Sequence, residues 1–399
     1  MNWTLQWTRP DLGLVGIALL VLALAAFGLR RWPAGTVARA GLRGLLFVAG
    51  LAVGVVAMLD RPPEPLTMAE CLSTLASETG LAGTAAPQAH NPPPPWIGLG
   101  TGPSDQTYYQ VARGLVQEAN ARGVPLVNIP TNGSFDNLAK AASPLNMALV
   151  FSQGDALEAA TPEQQRQLRM VMALYQEEVH VLTRRIAPSG KPLRRLSDLN
   201  GLRVLVSERS SGSAYTAGRL MKLAGIQPAG AKVQAMSSTH ALCSVLVGEA
   251  EAMVVVSGQP VGQLRDLQRL AHHPAHPLRQ VQFLPLTVAD LRGGAVKGVS
   301  AAFYEPARIE RRSYPWAFEF EDGREQIDTL AVRALLMAYD FSPRATAVQQ
   351  QKCAALSTIV KLLKDPDVTA RLCQLPHHRK WCQIDPGANV PGWQANTCL

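Results

Sequence analysis

WIGLGTGPSDQTYYQ, residues 96–110, is the stretch whose reading decides the fold. A short apolar run, Trp96–Leu99, enters a turn of small residues and then an amphipathic segment whose spacing predicts a helix over Gln106–Ala121. A strand that passes through a glycine turn into a helix is half of an α/β unit, and the N–H groups left free at such a helix start attract anions. Thr101, Gly102, Ser104 and Thr107 set hydroxyls and bare backbone beside those amides, and Tyr108 and Tyr109 are placed to wall a ligand. Ser104 or Asp105 would equally serve as an ordinary helix cap.

The same arrangement recurs twice. Thr131-Asn-Gly-Ser-Phe-Asp-Asn137 follows a predicted strand and precedes a helix, and offers Asn132 and Ser134. Ser207-Glu-Arg-Ser-Ser-Gly-Ser-Ala-Tyr215 follows Arg203–Val206 and offers Ser211, Gly212, Ser213 and Tyr215. Arg209 supplies the one strong cation of the set, unless it pairs with Glu208 or stands in solvent. Three helix-start loops on one alternating chain imply a polar small molecule bearing a carboxylate, gripped from two sides.

Outward from these loops the pattern holds. Strands are predicted at Trp96–Leu99, Pro125–Ile129, Met147–Phe151, His180–Thr183, Arg203–Val206 and Ala252–Val256, and helices at Gln106–Ala121, Phe135–Ala142, Ala214–Leu223 and Val261–Leu270. Arg344–Lys364 reads as a closing helix, stopped by Asp365-Pro366. Short strands alternating with longer amphipathic segments give a parallel α/β sheet covered by helices. Two such lobes, the second over about 184–270, would bind a ligand in the cleft between strand ends. The domain is read as 96–399, with a cysteine-containing tail over 371–399.

Upstream lie Leu12–Leu29 and Gly44–Leu59, two uncharged apolar runs close to the roughly 20 residues that cross a bilayer. They read as a transmembrane hairpin over 1–60. Arg30, Arg31, Arg39 and Arg43 in the intervening loop keep that loop cytoplasmic and place everything after Asp60 outside. Residues 61–95 form a juxtamembrane segment with some helical character at Leu66–Glu78, then a spacer ending in four prolines, Pro92–Pro95, stiff enough to hold the next domain off the bilayer. Six cysteines, an even number, suit an oxidising compartment and disulfides. Cys373, His377, His378 and Cys382 have a metal-like spacing, but outside the cytoplasm cysteines are more often in disulfides, and which of the six pair is not read from the sequence.

The net charge of +8 is split between +3 in residues 1–60 and +5 spread over the rest, too diffuse for a nucleic-acid footprint. No nucleophile elbow, phosphate loop, dinucleotide fingerprint or His-Glu-x-x-His motif occurs, so neither an enzyme nor a cofactor is expected. His272-His273-x-x-His276 sits in an Ala/Pro loop and reads as irregular surface.

The order of segments resembles the TAXI receptors of TRAP transporters over roughly residues 97–370. GTGPSDQTYYQVARGL (100–115) is similar to their Gly/Thr-rich opening with paired tyrosines, and TNGSFDNLAKAA (131–142) to their Gly-Ser-x-x-Asn-Leu segment. MALVFSQGDAL (147–157) resembles the strand that ends in Gln before an acid, and LSDLNGLRVLVSERSSGSAYTAGRLM (196–221) the Asp-Leu-x-Gly strand with its Ser/Gly-rich loop. GEAEAMVVVSGQPVGQLRDL (248–267) and FYEPARIERRSYP (303–315) match the Gly-x-Pro segment and the Tyr-Pro hairpin. The resemblance implies a two-lobed, type II-like periplasmic-binding-protein fold after the membrane hairpin. It implies a carboxylate or amino-acid ligand held by Thr101, Gly102, Tyr108, Tyr109, Asn132, Ser134, Gln153, Ser211, Ser213 and Tyr215, with Gln259-Pro260 near the hinge or cleft mouth. It also implies a TRAP-type permease, or another membrane protein, as partner at a bacterial inner membrane. Pro103-Ser104-Asp105 departs from the family's glycine-rich run, and the membrane hairpin and the tail are additions to it. A tethered sensor or scaffold built on the same fold is the alternative reading.

Overall fold

The computed structural model describes residues 64–79, 96–142, 147–206, 211–226, 232–293, 301–320, 323–341, 346–375, 378–388, 390–396 and 398. They belong, Glu64 apart, to the compact unit Pro65–Leu399. Both apolar runs of the expected hairpin lie outside the described residues. Among the described residues no helix is long and apolar enough to cross a membrane.

The chain order is α1 (Met68–Thr79), β1 (Ile97–Gly100), α2 (Thr107–Asn120), β2 (Leu126–Ile129), α3 (Ser134–Ala141), β3 (Leu149–Gln153), α4 (Pro162–Gln167), β4 (Leu168–Arg184), β5 (Arg203–Val206) and α5 (Gly212–Leu223). It continues with β6 (Lys232–Ala235), α6 (Ser238–Val247), β7 (Ala252–Ser257), α7 (Gly262–Asp266), β8 (Val281–Phe283), β9 (Tyr304–Glu310), β10 (Gln326–Tyr339), α8 (Ala347–Lys364) and α9 (Pro366–Gln374).

The strands form one sheet in the order β2-β1-β3-β10-β4-β7-β5-β6, with β8 on β4 and β9 on β10. β1, β2 and β3 are mutually parallel, as are β5, β6 and β7, whereas β10 and β4 run antiparallel to their neighbours. The two long central strands, 17 and 14 residues, carry the sheet from one half to the other. Each half buries its own apolar groups. Leu99, Val111, Leu115, Phe151, Leu336, Leu356 and Trp381 share one core in the first half, while Leu138, Val150, Leu335 and Trp393 fill its other face. In the second half Leu205, Leu242, Met253, Phe283 and Trp316 pack on one face, and Val204, Leu220, Val254 and Leu284 on the other. Two half-sheets with separate cores joined by two strands make two lobes.

Most predicted elements stand within two residues of their expected ends. The expected strand at His180–Thr183 is the last part of the 17-residue β4. Its earlier part reads LRMVMALYQEE, in which Glu177 and Glu178 break the apolar run although both are at most 4% exposed. β10 completes the crossing beside it, register Ala331 to Glu178 and Val332 to Glu177.

The helix expected near Leu66–Glu78 is α1, but it does not stand apart from the domain as a juxtamembrane piece. Leu66, Cys71 and Leu75 are buried in the core of the second lobe, Cys71 is disulfide-bonded to Cys243 of α6, and Arg269 donates to the Thr74 carbonyl at 3.2 Å. The compact unit therefore starts before the proline run rather than after it, because one apolar stripe and one disulfide suffice to fold α1 onto lobe 2. The other cysteines pair as Cys353–Cys398 and Cys373–Cys382, a connectivity the sequence leaves open, and Cys373 and Cys382 are joined in a disulfide.

Candidate functional site

The three sequence loops converge. The turn after β1, the turn after β2 and the start of α5 face one another across the lobes, around a small cavity of about 30 Å³ lined by Gly102, Gln106, Thr107, Tyr108, Ser134, Gln153, Glu177, Ser211, Gly212 and Ser213 with Gly133, Val256 and Ser257.

Local chemistry sets this geometry. Asn137, fully buried, donates to the carbonyls of Thr101 at 2.7 Å and Phe151 at 2.8 Å and accepts from the Thr131 hydroxyl at 2.7 Å. One side chain thus ties the ends of β1 and β3 to the turn after β2. No side chain caps α2 or α3, whose N-cap residues are Gln106 and Gly133. N–H groups at an uncapped helix start are what an anion site requires. Gly133 holds a φ of 99°, which favours glycine, and a Cβ there would come within 3.6 Å of the Ser211 backbone of the opposite lobe. α5 is capped by Ser211, whose hydroxyl accepts from Ala214 N at 3.2 Å.

The lobes touch through polar groups. Thr107 donates to the Gly258 carbonyl at 3.1 Å and accepts from the Ser257 hydroxyl at 2.8 Å. Gln263 donates to Asp105 at 2.7 Å, so Asp105 bridges lobes instead of capping α2. On the far rim Thr216 donates to Asp155 at 2.6 Å and to the Gln153 amide oxygen at 3.2 Å, Tyr304 donates to Asp155 at 3.0 Å, and Arg219 is ion-paired with Glu158. Gln153 itself reaches the Val256 carbonyl at 3.5 Å and lies against Gly212, where a Cβ would collide with its amide.

Glu177, 2% exposed, also lines the cavity and accepts from the Tyr108 hydroxyl at 2.7 Å. Burial raises its carboxyl to about 8, against which the Tyr108 and Gln153 hydrogen bonds and the Lys380 charge act only partly. Burial likewise lifts Asp155 to about 6, despite Thr216 and Tyr304. The Tyr108 phenol is pushed upward by burial and by Glu177.

Of the residues singled out in the sequence, Gly102, Thr107, Tyr108, Ser134, Gln153, Ser211, Gly212 and Ser213 line the cleft. Ser213 is nonetheless occupied within its own lobe, donating to the Val256 carbonyl and accepting from Val256 N, both at 3.0 Å. Thr101 is fully buried beneath the turn, its hydroxyl donating to Asn128 at 2.9 Å. Ser104 and Asn132 are exposed, and Tyr109 stands outside the lining. Tyr215 packs edge-on against Phe135 at 5.0 Å between ring centres, at the rim rather than in the cavity. Arg209 lies outside the described residues. Glu177, Gln106 and Ser257 were missed. Only for Glu177 was there a signal, two adjacent acids inside an apolar run, of which a strand must turn one to each face.

Residues 99–349 match the model of the NMT1-like family. No curated protein sequence matches the chain. Among solved structures, MatC from Rhodopseudomonas palustris with bound malate is similar at 16% identity and a TM-score of 0.39, covering 70% of this chain and 88% of that one. The periplasmic aliphatic sulphonate binding protein SsuA from Escherichia coli is similar at 13% identity and a TM-score of 0.39, covering 73% and 84%. With its family model matched over well more than half its length, the chain belongs to the NMT1-like family.

Proposed function

We propose that the chain is an extracytoplasmic solute receptor of the TAXI type, tethered to the inner membrane by the apolar runs 12–29 and 44–59, with its large domain in the periplasm. It closes two lobes around a small organic anion or amino acid and offers the closed form to a TRAP-type permease. The observation that supports this most is the convergence of three helix-start loops, two of them without side-chain caps, at the seam between lobes joined by β4 and β10. Lobe closure of this kind requires only that the solute bind the closed state more tightly than the open one.

A second reading, a membrane-tethered sensor or scaffold, is favoured by one observation. The closed cleft leaves about 30 Å³, room for about one water molecule. Thermal melts of the protein with dicarboxylates, keto acids and amino acids separate the two. A saturable rise in melting temperature with one class supports the receptor and names its substrate. No rise with any class, from folded and monodisperse protein, moves the assignment to the sensor or scaffold.

A further inference from the structure

We propose that the C-terminal tail is a strap that holds the two lobes closed without solute, acting at the hinge through Lys380. The proposal concerns the conformational equilibrium, so it stands whether or not a solute is found.

The tail is fixed to the first lobe at several points. Cys382 is bonded to Cys373 of α9, and Cys398 to Cys353 of α8. Trp381, 1% exposed, donates its indole N–H to the Val111 carbonyl of α2 at 2.9 Å. Trp393 donates to the Gly154 carbonyl at 3.0 Å. Met170 and Asn396 close a short ladder between the tail and β4, with Met170 N to the Gln394 carbonyl and Asn396 N to the Met170 carbonyl, both 2.8 Å.

From this anchored segment one side chain points the other way. Lys380 is 1% exposed and sets its ammonium 2.5 Å from Glu178 of β4, with a further bond to Gln383 at 2.8 Å. Its stem lies on Gly258 of the second lobe so closely that a Cβ there would stand 2.7 Å from Lys380 Cγ and 2.9 Å from Cε. The other oxygen of Glu178 accepts from Gln259 N at 2.9 Å. The segment 257–259 is therefore clasped twice, by Thr107 from the cleft side and by Lys380 and Glu178 from the hinge side. Opening the cleft moves that segment away from α2. It would then lose its seat on a lysine stem that two disulfides and two tryptophans hold to the first lobe.

A buried ion pair adds little net stability over apolar residues of the same volume, so its use is better sought in fixing one arrangement. A merely structural pair would stabilise the fold without biasing the lobes, and the test distinguishes these roles. The readout is amide hydrogen exchange of the full chain, without solute, in peptides covering Thr107–Tyr109 and Ser211–Ala214. The variants are Lys380→Ala with Glu178→Gln, which removes both charges together, and Gly258→Ala, which keeps every partner and adds one methyl under the strap. The proposal expects slow exchange in the wild type and exchange about tenfold faster or more in both cleft peptides of each variant, with β1 and β5 unaltered. Unaltered cleft exchange in Gly258→Ala, even with a lowered melting temperature, would overturn it. So would fast cleft exchange in the wild type, whose lobes would then be open.

Discussion

Replacing Glu177 by Gln should abolish most of the alkaline loss of stability. In the folded protein this carboxyl titrates at about 8 rather than 4.5, because burial disfavours its charged form. A group whose folded pKa is raised gives stability that is whole below the unfolded value and is lost as pH climbs through the folded one. The window thus runs from about 4.5 to about 8. At about 1.4 kcal/mol per pH unit, full titration across it removes up to about 5 kcal/mol. Glutamine keeps an oxygen to accept from Tyr108 and has no proton to lose. Denaturant unfolding of both proteins at about pH 5 and about pH 8 measures the effect. The variant should match the wild type at the lower pH and exceed it by several kcal/mol at the higher. Parallel profiles would refute the reasoning, and would mean that Glu177 is ionised in the folded state or open to water. Other groups, Asp155 and His180 among them, shape the curve without sharing this signature. Asp155, raised to about 6, leaves a smaller decline up to that pH in both proteins. His180, lowered to about 3 by burial and by the Lys380 charge, acts in the opposite sense. Its stability is present above 6.5 and fades as pH falls, so the acid limb should be the same in both proteins.

The Gly212→Ala substitution puts a methyl where the Gln153 amide now lies and 2.8 Å from the Ser134 hydroxyl. Overpacking of this kind costs about 1–3 kcal/mol, so affinity for any solute that gives a thermal shift should fall roughly 5- to 150-fold in calorimetry. Unchanged affinity would show that the lobes need not approach so closely. Cys71→Ser with Cys243→Ser should cost about 2–5 kcal/mol in reversible unfolding and expose α1 to protease, since that bond alone covalently ties α1 to lobe 2. Asn137→Ala should cost about 1–3 kcal/mol for each of the Thr101 and Phe151 carbonyls left without its donor. Its melting temperature should fall more than that of Ser104→Ala, an exposed position in the same turn region.

Local pattern made much of this protein legible. The β1–α2, β2–α3 and β5–α5 units are each written as an apolar run, a small-residue turn and an amphipathic stretch. Their ends are set by interactions within a few residues, and so are visible in sequence. β4 was only partly legible because its burial is almost unbroken from Val171 to Thr183, and strands buried on both faces lose the alternation that identifies them. β10, whose burial reads almost unbroken from Thr329 to Ala338, escaped for the same reason.

What the chain determined by itself was therefore the α/β class, the three loops that meet in the cleft, and an oxidised set of cysteines. Which cysteines join, and that α1 belongs to the second lobe, was decided only by folding, since pairing partners as far as 172 residues apart carry no mutual signal along the chain. The same holds for the cleft floor. Glu177 and Glu178 are neighbours in sequence, yet the pleat of β4 sends one to Tyr108 at 2.7 Å and the other to Lys380, 202 residues away, at 2.5 Å. Composition put two acids in an apolar strand. Only the tertiary structure, by burying one beneath the cleft and the other beneath the tail, gave them different chemistry.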